Sequence, residues 1–207
     1  MAGGTFQSVT DGTFQSDTGG TLIPLLSRRY GNIPDTWVLA TLGDISNYGK
    51  CDNVLVEDIT NDAWVLELED IEKDTGKLNA RLTKKERTIN GTRYRFQKGN
   101  VLYSKLRTYL NKVFVARENG FCTTEIIPIK CSDIVVPEYL NIVLRSPYFL
   151  DFTNTIGYGV KMPILGTNEA RKAIIPVPPM EEQRRIVLKV KELISSIDAI
   201  SLQLQLQ

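Results

Sequence analysis

Apolar residues between Trp64 and Ile129 come in short bursts of strand-forming type. They are "WVLEL" (Trp64–Leu68), "YRF" (Tyr94–Phe96), "NVLYS" (Asn100–Ser104), "KVFVA" (Lys112–Ala116) and "TTEIIPI" (Thr123–Ile129). Turn signals separate them: "DTG" at Asp74–Gly76, and "NG" at Asn90–Gly91 and Asn119–Gly120. β-branched and aromatic runs bounded by such punctuation predict strands joined by tight turns. Two helices are expected among them. "PEYLNIVL" follows Pro137, and "SPYFLDFTN" opens with Ser146 as N-cap and Pro147 at the first helical position. The expected class is α/β of the α+β type, with a mixed, largely antiparallel sheet and short helices.

The pattern changes at the Pro-rich stretch "IPVPP". Pro179 suits the first position of a helix, and Glu181 and Glu182 suit the positive end of its dipole. Ile186, Val190, Leu193, Ile197, Ile200 and Leu204 then follow in steps of four and three, a heptad seam. Val187 and Ile194 widen the stripe. A helix folded back on its own domain would satisfy the same residues. The Pro-rich break and the unbroken period favour a coiled-coil-type helix that packs on another helix, roughly 42 Å long.

Three regions follow from this. Residues 1–21 are polar and Gly-rich and repeat "GTFQS" at Gly4–Ser8 and Gly12–Ser16, which reads as a flexible tail. Residues 22–178 form the main domain, and residues 179–207 the long helix.

Composition removes several chemistries. The 207 residues include no histidine, so Ser-His-Asp, Cys-His and His-ligated zinc sites are excluded. Cys51, Cys122 and Cys131 are odd in number and form no Cys-x-x-Cys, which suits a reducing cytoplasm. No apolar run reaches the roughly 18 residues of a membrane span.

The net charge of +1 conceals a segregation. Asp44–Asp74 holds ten acids and two bases, whereas Lys77–Arg117 holds twelve bases and one acid, Glu86. A basic run interleaved with Tyr94, Phe96, Tyr103 and Tyr109 is an electrostatic footprint for nucleic acid. The alternative is that the basic run folds against the acidic one as ion pairs. In "YSKLRTYLNK", Lys105, Arg107, Tyr109, Asn111 and Lys112 would share one face of an extended segment. Arg107 suits a guanine edge and Asn111 an adenine edge. Arg93 and Arg95 are further candidates for phosphate, and so is Lys161 in its Gly-flanked loop. Thr123 and Thr124 read as strand filling. "EDIEKDTGK" has a calcium-like alternation of acids with its glycine misplaced, and reads as an acidic hairpin. Glu67, Glu69 and Asp70 leave open a carboxylate-dependent nuclease, and the charged faces leave open a protein-interaction module.

Five stretches together resemble the specificity subunits of type I restriction–modification systems. They are "IPDTWVLATLGDI", "LELEDIEKDTGKL", "GNVLYSKLRTYLNKVFVA", "CTTEIIPI" and "GVKMPILGTNEARKAIIPVPPMEEQRRIV". The resemblance covers about residues 31–206. It implies one target recognition domain and one spacer helix, half of the usual subunit. It implies a non-catalytic protein that binds double-stranded DNA, reads one half of a split site and docks modification subunits through its helix. S-adenosylmethionine, ATP and magnesium are then expected only in the partner modification and restriction subunits. Pairing of two copies through the helix seam is expected to supply a second domain.

Overall fold

The computed structural model describes residues 7–8, 14–15, 33–157 and 163–205. The expected tail lies outside these residues except for two dipeptides, one from each "GTFQS" copy. These are β1 (Gln7–Ser8) and β2 (Phe14–Gln15), paired antiparallel.

The domain opens with β3 (Val38–Thr41) and a one-turn helix, α1 (Leu42–Ile45). Thr41 caps that helix, its Oγ1 accepting from the Asp44 N–H at 3.2 Å. Strands β4 (Asp52–Leu55), β5 (Val65–Leu66), β6 (Thr92–Phe96), β7 (Val101–Ser104), β8 (Val113–Val115), β9 (Gly120–Thr123) and β10 (Ile126–Ile129) follow. Then come α2 (Pro137–Arg145), α3 (Pro147–Ile156), α4 (Thr167–Arg171), β11 (Ile174–Val177) and the long α5 (Met180–Gln205).

Two sheets form the body. One has the order β4-β6-β9-β5, antiparallel except for the parallel β5/β9 pair, and the other the order β10-β7-β8, all antiparallel. Trp64, Leu66, Phe96, Leu102, Cys122 and Ile126 fill the space between them. The larger core lies beneath the second sheet, where Tyr48, Tyr103, Ile129, Leu140 and Phe149 pack against the short helices. A third cluster of Val54, Ile59, Val65 and Ile89 covers the outer face of the first sheet.

Pro137 and Pro147 stand at the first positions of α2 and α3 as expected, and Ser146 caps α3 by accepting from the Phe149 N–H at 3.4 Å. "TTEIIPI" is two strands rather than one, because Thr124 and Glu125 turn the chain between β9 and β10. "WVLEL" keeps only Val65–Leu66 as strand. Glu67 instead caps a 3-10 turn at Leu68–Asp70, its N–H donating to the Asp70 carboxylate at 2.8 Å. Glu67 and Glu69 therefore do not share a strand face. The acidic hairpin is present: the Glu72 N–H donates to the Lys77 carbonyl at 2.8 Å, and Ile71 bridges Leu78. Gly76 is required at its tip. Its φ is +66°, and a Cβ there would stand 2.1 Å from the Val113 carbonyl oxygen.

β3 and β11 pair antiparallel, with Val38 opposite Val177. This closure joins the first and last strands of the domain and fixes the point from which α5 departs. Pro179 immediately precedes α5 and accepts its first hydrogen bonds, from the Glu182 and Gln183 N–H groups, so it stands one place earlier than expected.

The seam along α5 divides. Val187 is buried and Ile186 and Val190 are half-buried on the side of the domain, where α5 packs on α2. Leu193, Ile197, Ile200 and Leu204 are exposed, as is Ile194. The helix thus folds back on its own domain over its first turns and presents a free apolar stripe beyond them. Among the described residues no helix is long and apolar enough to cross a membrane.

Candidate nucleic-acid interface

The basic run is partly consumed by the acidic run. Arg87 donates to Asp70 at 2.7 Å, with both side chains nearly buried, and Arg93 donates to Glu67 at 2.7 Å. Arg95 lies 3.4 Å from Asp52 on an exposed face, with its guanidinium 5.7 Å from the Phe121 ring centre. The register explains this: Asp52, Arg95 and Phe121 are neighbours across β4, β6 and β9. Two lysines are bound to backbone carbonyls of the acidic run, Lys84 to Val56 and Ile59, and Lys112 to Leu68 at 2.7 Å. The basic stripe is therefore half internal scaffold.

The carboxylates of the nuclease reading are occupied by the same pairs. Both oxygens of Asp70 accept, one from the Glu67 N–H and the other from Arg87. Burial pushes the Glu67 carboxyl above its ordinary range, against the pull of Arg93. Glu69 points to solvent. The three acids do not converge on one point.

Lys105–Lys112 is not extended. Thr108–Leu110 forms a single 3-10 turn, and the residues at its ends, Arg107 (φ +51°) and Asn111 (φ +50°), are both left-handed. Left-handed geometry suits Asn, whose short amide bonds locally. Asn111 is buried, and its Nδ2 donates to the Arg145 carbonyl at 3.2 Å, so its amide faces inward. Arg107 has no such compensation. Strained backbone of this kind costs of order 1–3 kcal/mol and gathers at functional sites. The Arg107 side chain is exposed, as is Tyr109 at 49%. Lys105 is half-buried at the edge of the turn, and neither Lys105 nor Arg107 is in an ion pair among the described residues.

The turn is locked to residues 163–165. The Arg107 N–H donates to the Pro163 carbonyl at 2.8 Å, the Leu165 N–H donates to the Lys105 carbonyl at 2.9 Å, and Leu106 bridges Ile164. Lys161 itself lies outside the described residues. Of the eight residues singled out from sequence, the fold thus gathers Lys105, Arg107 and Tyr109 at one exposed turn. It places Arg93 and Lys112 in internal contacts, sets Arg95 beside Asp52 on an exposed face, and turns Asn111 inward. Sequence reasoning missed Gln183, which is buried and holds the root of α5, and Arg145, which ties α2 to the acidic hairpin through the Asp74 carbonyl. The "MEEQRR" of the last motif contained Gln183 but gave it no task.

Residues 34–207 match the family described as Type I restriction modification DNA specificity domain. The chain is 29% identical over 133 residues to the Type I restriction enzyme EcoDI specificity subunit of Escherichia coli, covering 64% of this chain and 30% of that protein. It is 26% identical over 179 residues to the EcoBI specificity subunit of the same organism, covering 83% and 38%. The fold is similar to that of the HsdS subunit from Thermoanaerobacter tengcongensis, with a TM-score of 0.70 at 20% identity over 84% of this chain and 46% of that one. A type I restriction–modification S subunit from M. genitalium gives 0.55 at 15% identity over 82% and 41%. The chain therefore spans less than half the length of these relatives.

Proposed function

The chain belongs to the type I restriction–modification DNA specificity family, and from that premise we propose that it is a DNA sequence-reading module for one half of a bipartite site. The observation that carries this is the Arg107 turn: an exposed guanidinium on a left-handed backbone, beside Lys105 and Tyr109, in a turn bonded to Pro163 and Leu165. An Arg fork reads guanine O6 and N7 in the major groove, and neighbouring cations hold the phosphates that fix its register.

In this reading the chain is not itself a catalyst. The exposed half of α5 docks modification subunits or a second copy of the chain, and a second recognition domain comes with that partner. S-adenosylmethionine, ATP and magnesium act on the partner subunits. A cytoplasmic location fits that assembly.

Selection from a randomised duplex library tests the readout. Arg107→Ala should relax preference at one base-pair position, by about 1–3 kcal/mol. Lys105→Ala should weaken binding evenly across sequences. An Arg107→Ala chain with unaltered affinity and preference would refute the assignment.

A further inference from the structure

A cleft of about 1020 Å3 runs between the acidic hairpin, the β8 edge, α2 and α5. Six bases line it, Lys77, Arg81, Lys98, Arg117, Arg145 and Lys191, against two acids, Glu118 and Glu138. They come from five separate parts of the chain, so no sequence window displays them together. Lys191 lies on α5, a helix whose expected tasks were spacing and docking alone.

Only part of this charge is cancelled internally. Arg81 is held by Glu118 in a two-pronged pair at 2.6 and 2.9 Å, whereas Lys77 stands 3.7 Å from Asp198 as an exposed pair of the weak kind. Lys98, Arg117 and Lys191 are exposed and have no ion pair among the described residues. Arg145 is half-buried. It donates to the Asp74 carbonyl, and its Nε has no hydrogen-bond partner.

The cleft also adjoins the reading turn. The Asp74 N–H donates to the Leu110 carbonyl at 3.0 Å, and the Asn111 amide donates to the Arg145 carbonyl at 3.2 Å. Asp74 and Arg145 therefore stand at the seam between the Arg107 turn and the basic cleft.

We propose that this cleft is a phosphate-tracking groove in which the nucleic-acid backbone runs from the Arg107 turn toward α5, so that the long helix itself contacts the nucleic acid through Lys191. Concave walls with an excess of one sign concentrate the field and favour a polyanion. Long flexible lysines suit phosphate contacts, which need charge rather than a fixed fork. This inference rests on the DNA reading above, and the test separates the two.

Binding of the full chain to a duplex of arbitrary sequence is followed by fluorescence anisotropy over a range of salt concentrations. Phosphate contacts do not depend on sequence, so the target need not be known. Each contact contributes about 0.9 to the slope of log affinity against log salt. The combined variant Lys98→Ala, Arg117→Ala and Lys191→Ala should lower that slope by up to about 2.7. Lys191→Ala alone should lower it, whereas Lys189→Ala should leave it unchanged. Lys189 is on the same helix but pairs with Glu192 at 3.1 Å and does not line the cleft. A triple variant with wild-type slope and affinity, beside a Lys105→Ala chain that binds more weakly, overturns the groove and leaves the DNA reading standing. Equal effects of Lys189→Ala and Lys191→Ala overturn the groove in favour of bulk charge. A wild-type chain with no salt-dependent binding at all overturns both.

Discussion

The side-chain amide of Gln183 is bonded to the backbone of Val136: its Oε1 accepts from the Val136 N–H at 2.8 Å. The same amide donates through Nε2 to the carbonyls of Ile134 and Pro178, at 2.9 and 2.8 Å, and Gln183 is wholly buried. One side chain on the first turn of α5 thereby satisfies the loop before α2 and the residue before Pro179. The direction of the long helix is set by hydrogen bonds as well as by Val187.

Replacing Gln183 with Leu keeps much of the volume and removes all three bonds. Each buried group left without a partner costs about 1–3 kcal/mol. Gln183→Leu should lower stability by at least about 2 kcal/mol in urea denaturation. A loss below half of that would mean water or relaxation replaces the bonds.

The Arg87–Asp70 pair is internal scaffold rather than DNA contact. Side-chain exposures of 11% and 4% put it in the regime where loss of one partner strands a charge. Arg87→Met should destabilise the fold by about 3–5 kcal/mol. Arg87→Met combined with Asp70→Asn should recover a large part of that loss. If the double variant is no better than the single one, the guanidinium contributes through packing instead.

Arg107 should show opposed effects on stability and reading. Glycine enters the left-handed region freely, whereas Cβ crowding there costs roughly 1–2 kcal/mol. Arg107→Gly should therefore be more stable than Arg107→Ala by about 1 kcal/mol, while both lose base preference. Thermal melts of the two variants decide it, and equal melting temperatures would remove the case for strain.

Lys105 can be followed through Cys51. Burial pushes the Cys51 thiol above its ordinary value, and the Lys105 ammonium pulls it back. Cys122 is driven well up by burial, and Cys131 up to about 12. The thiolate is the reactive form, so a raised pKa moves the rise in alkylation to higher pH. In the folded chain Cys51 should react ahead of Cys131 and Cys122 at pH 8. Lys105→Ala should slow Cys51 by driving its thiol further up, and duplex DNA that masks Lys105 should act in the same direction. Mass spectrometry of the alkylated protein resolves the three sites. A Cys51 rate indifferent to Lys105→Ala would place the ammonium elsewhere.

Legibility from sequence followed the range of the interactions involved. Helices α2 and α3 were readable because Pro137, Ser146 and Pro147 act within a turn of their own backbone. β7 and β8 were readable because one apolar run makes each strand. β3 and β11 were not, since Val38–Thr41 and Ile174–Val177 become strands only by pairing with each other across the whole domain. The same distinction governs the site. "YSKLRTYLNK" showed its charges but not its shape, because two left-handed residues that are not glycine replace the expected extension. Charge segregation was visible, but which cations remained free was not. That depended on the β4–β6 register opposing Asp52 to Arg95, and on the fold bringing Glu67 to Arg93.

The division of the α5 seam changes how self-pairing should be tested. Val190 is half-buried toward the domain, so a polar residue there would disturb the fold as well as any dimer. Leu193, Ile197, Ile200 and Leu204 are exposed at 53%, 61%, 56% and 68%, a contiguous apolar stripe at heptad spacing. From Lys191 to Gln205 the helix extends about 22 Å. Two such stretches packed antiparallel would form a two-fold dimer with one recognition domain at each end. Identical domains related in this way meet the two DNA strands in opposite orientation, so the assembly should read an interrupted palindrome. Lys77 and Asp198 stand 3.7 Å apart, so a second helix must approach the stripe from the side away from the acidic hairpin. Ile197→Asn with Leu204→Asn places two amides in the seam, at about 1–3 kcal/mol for each one left without a partner. That double variant should sediment as a monomer at concentrations where the wild type is dimeric. Its melting curve should match that of the wild-type monomer, because neither residue touches the core. A wild type that remains monomeric at high micromolar concentration would exclude self-pairing through the stripe.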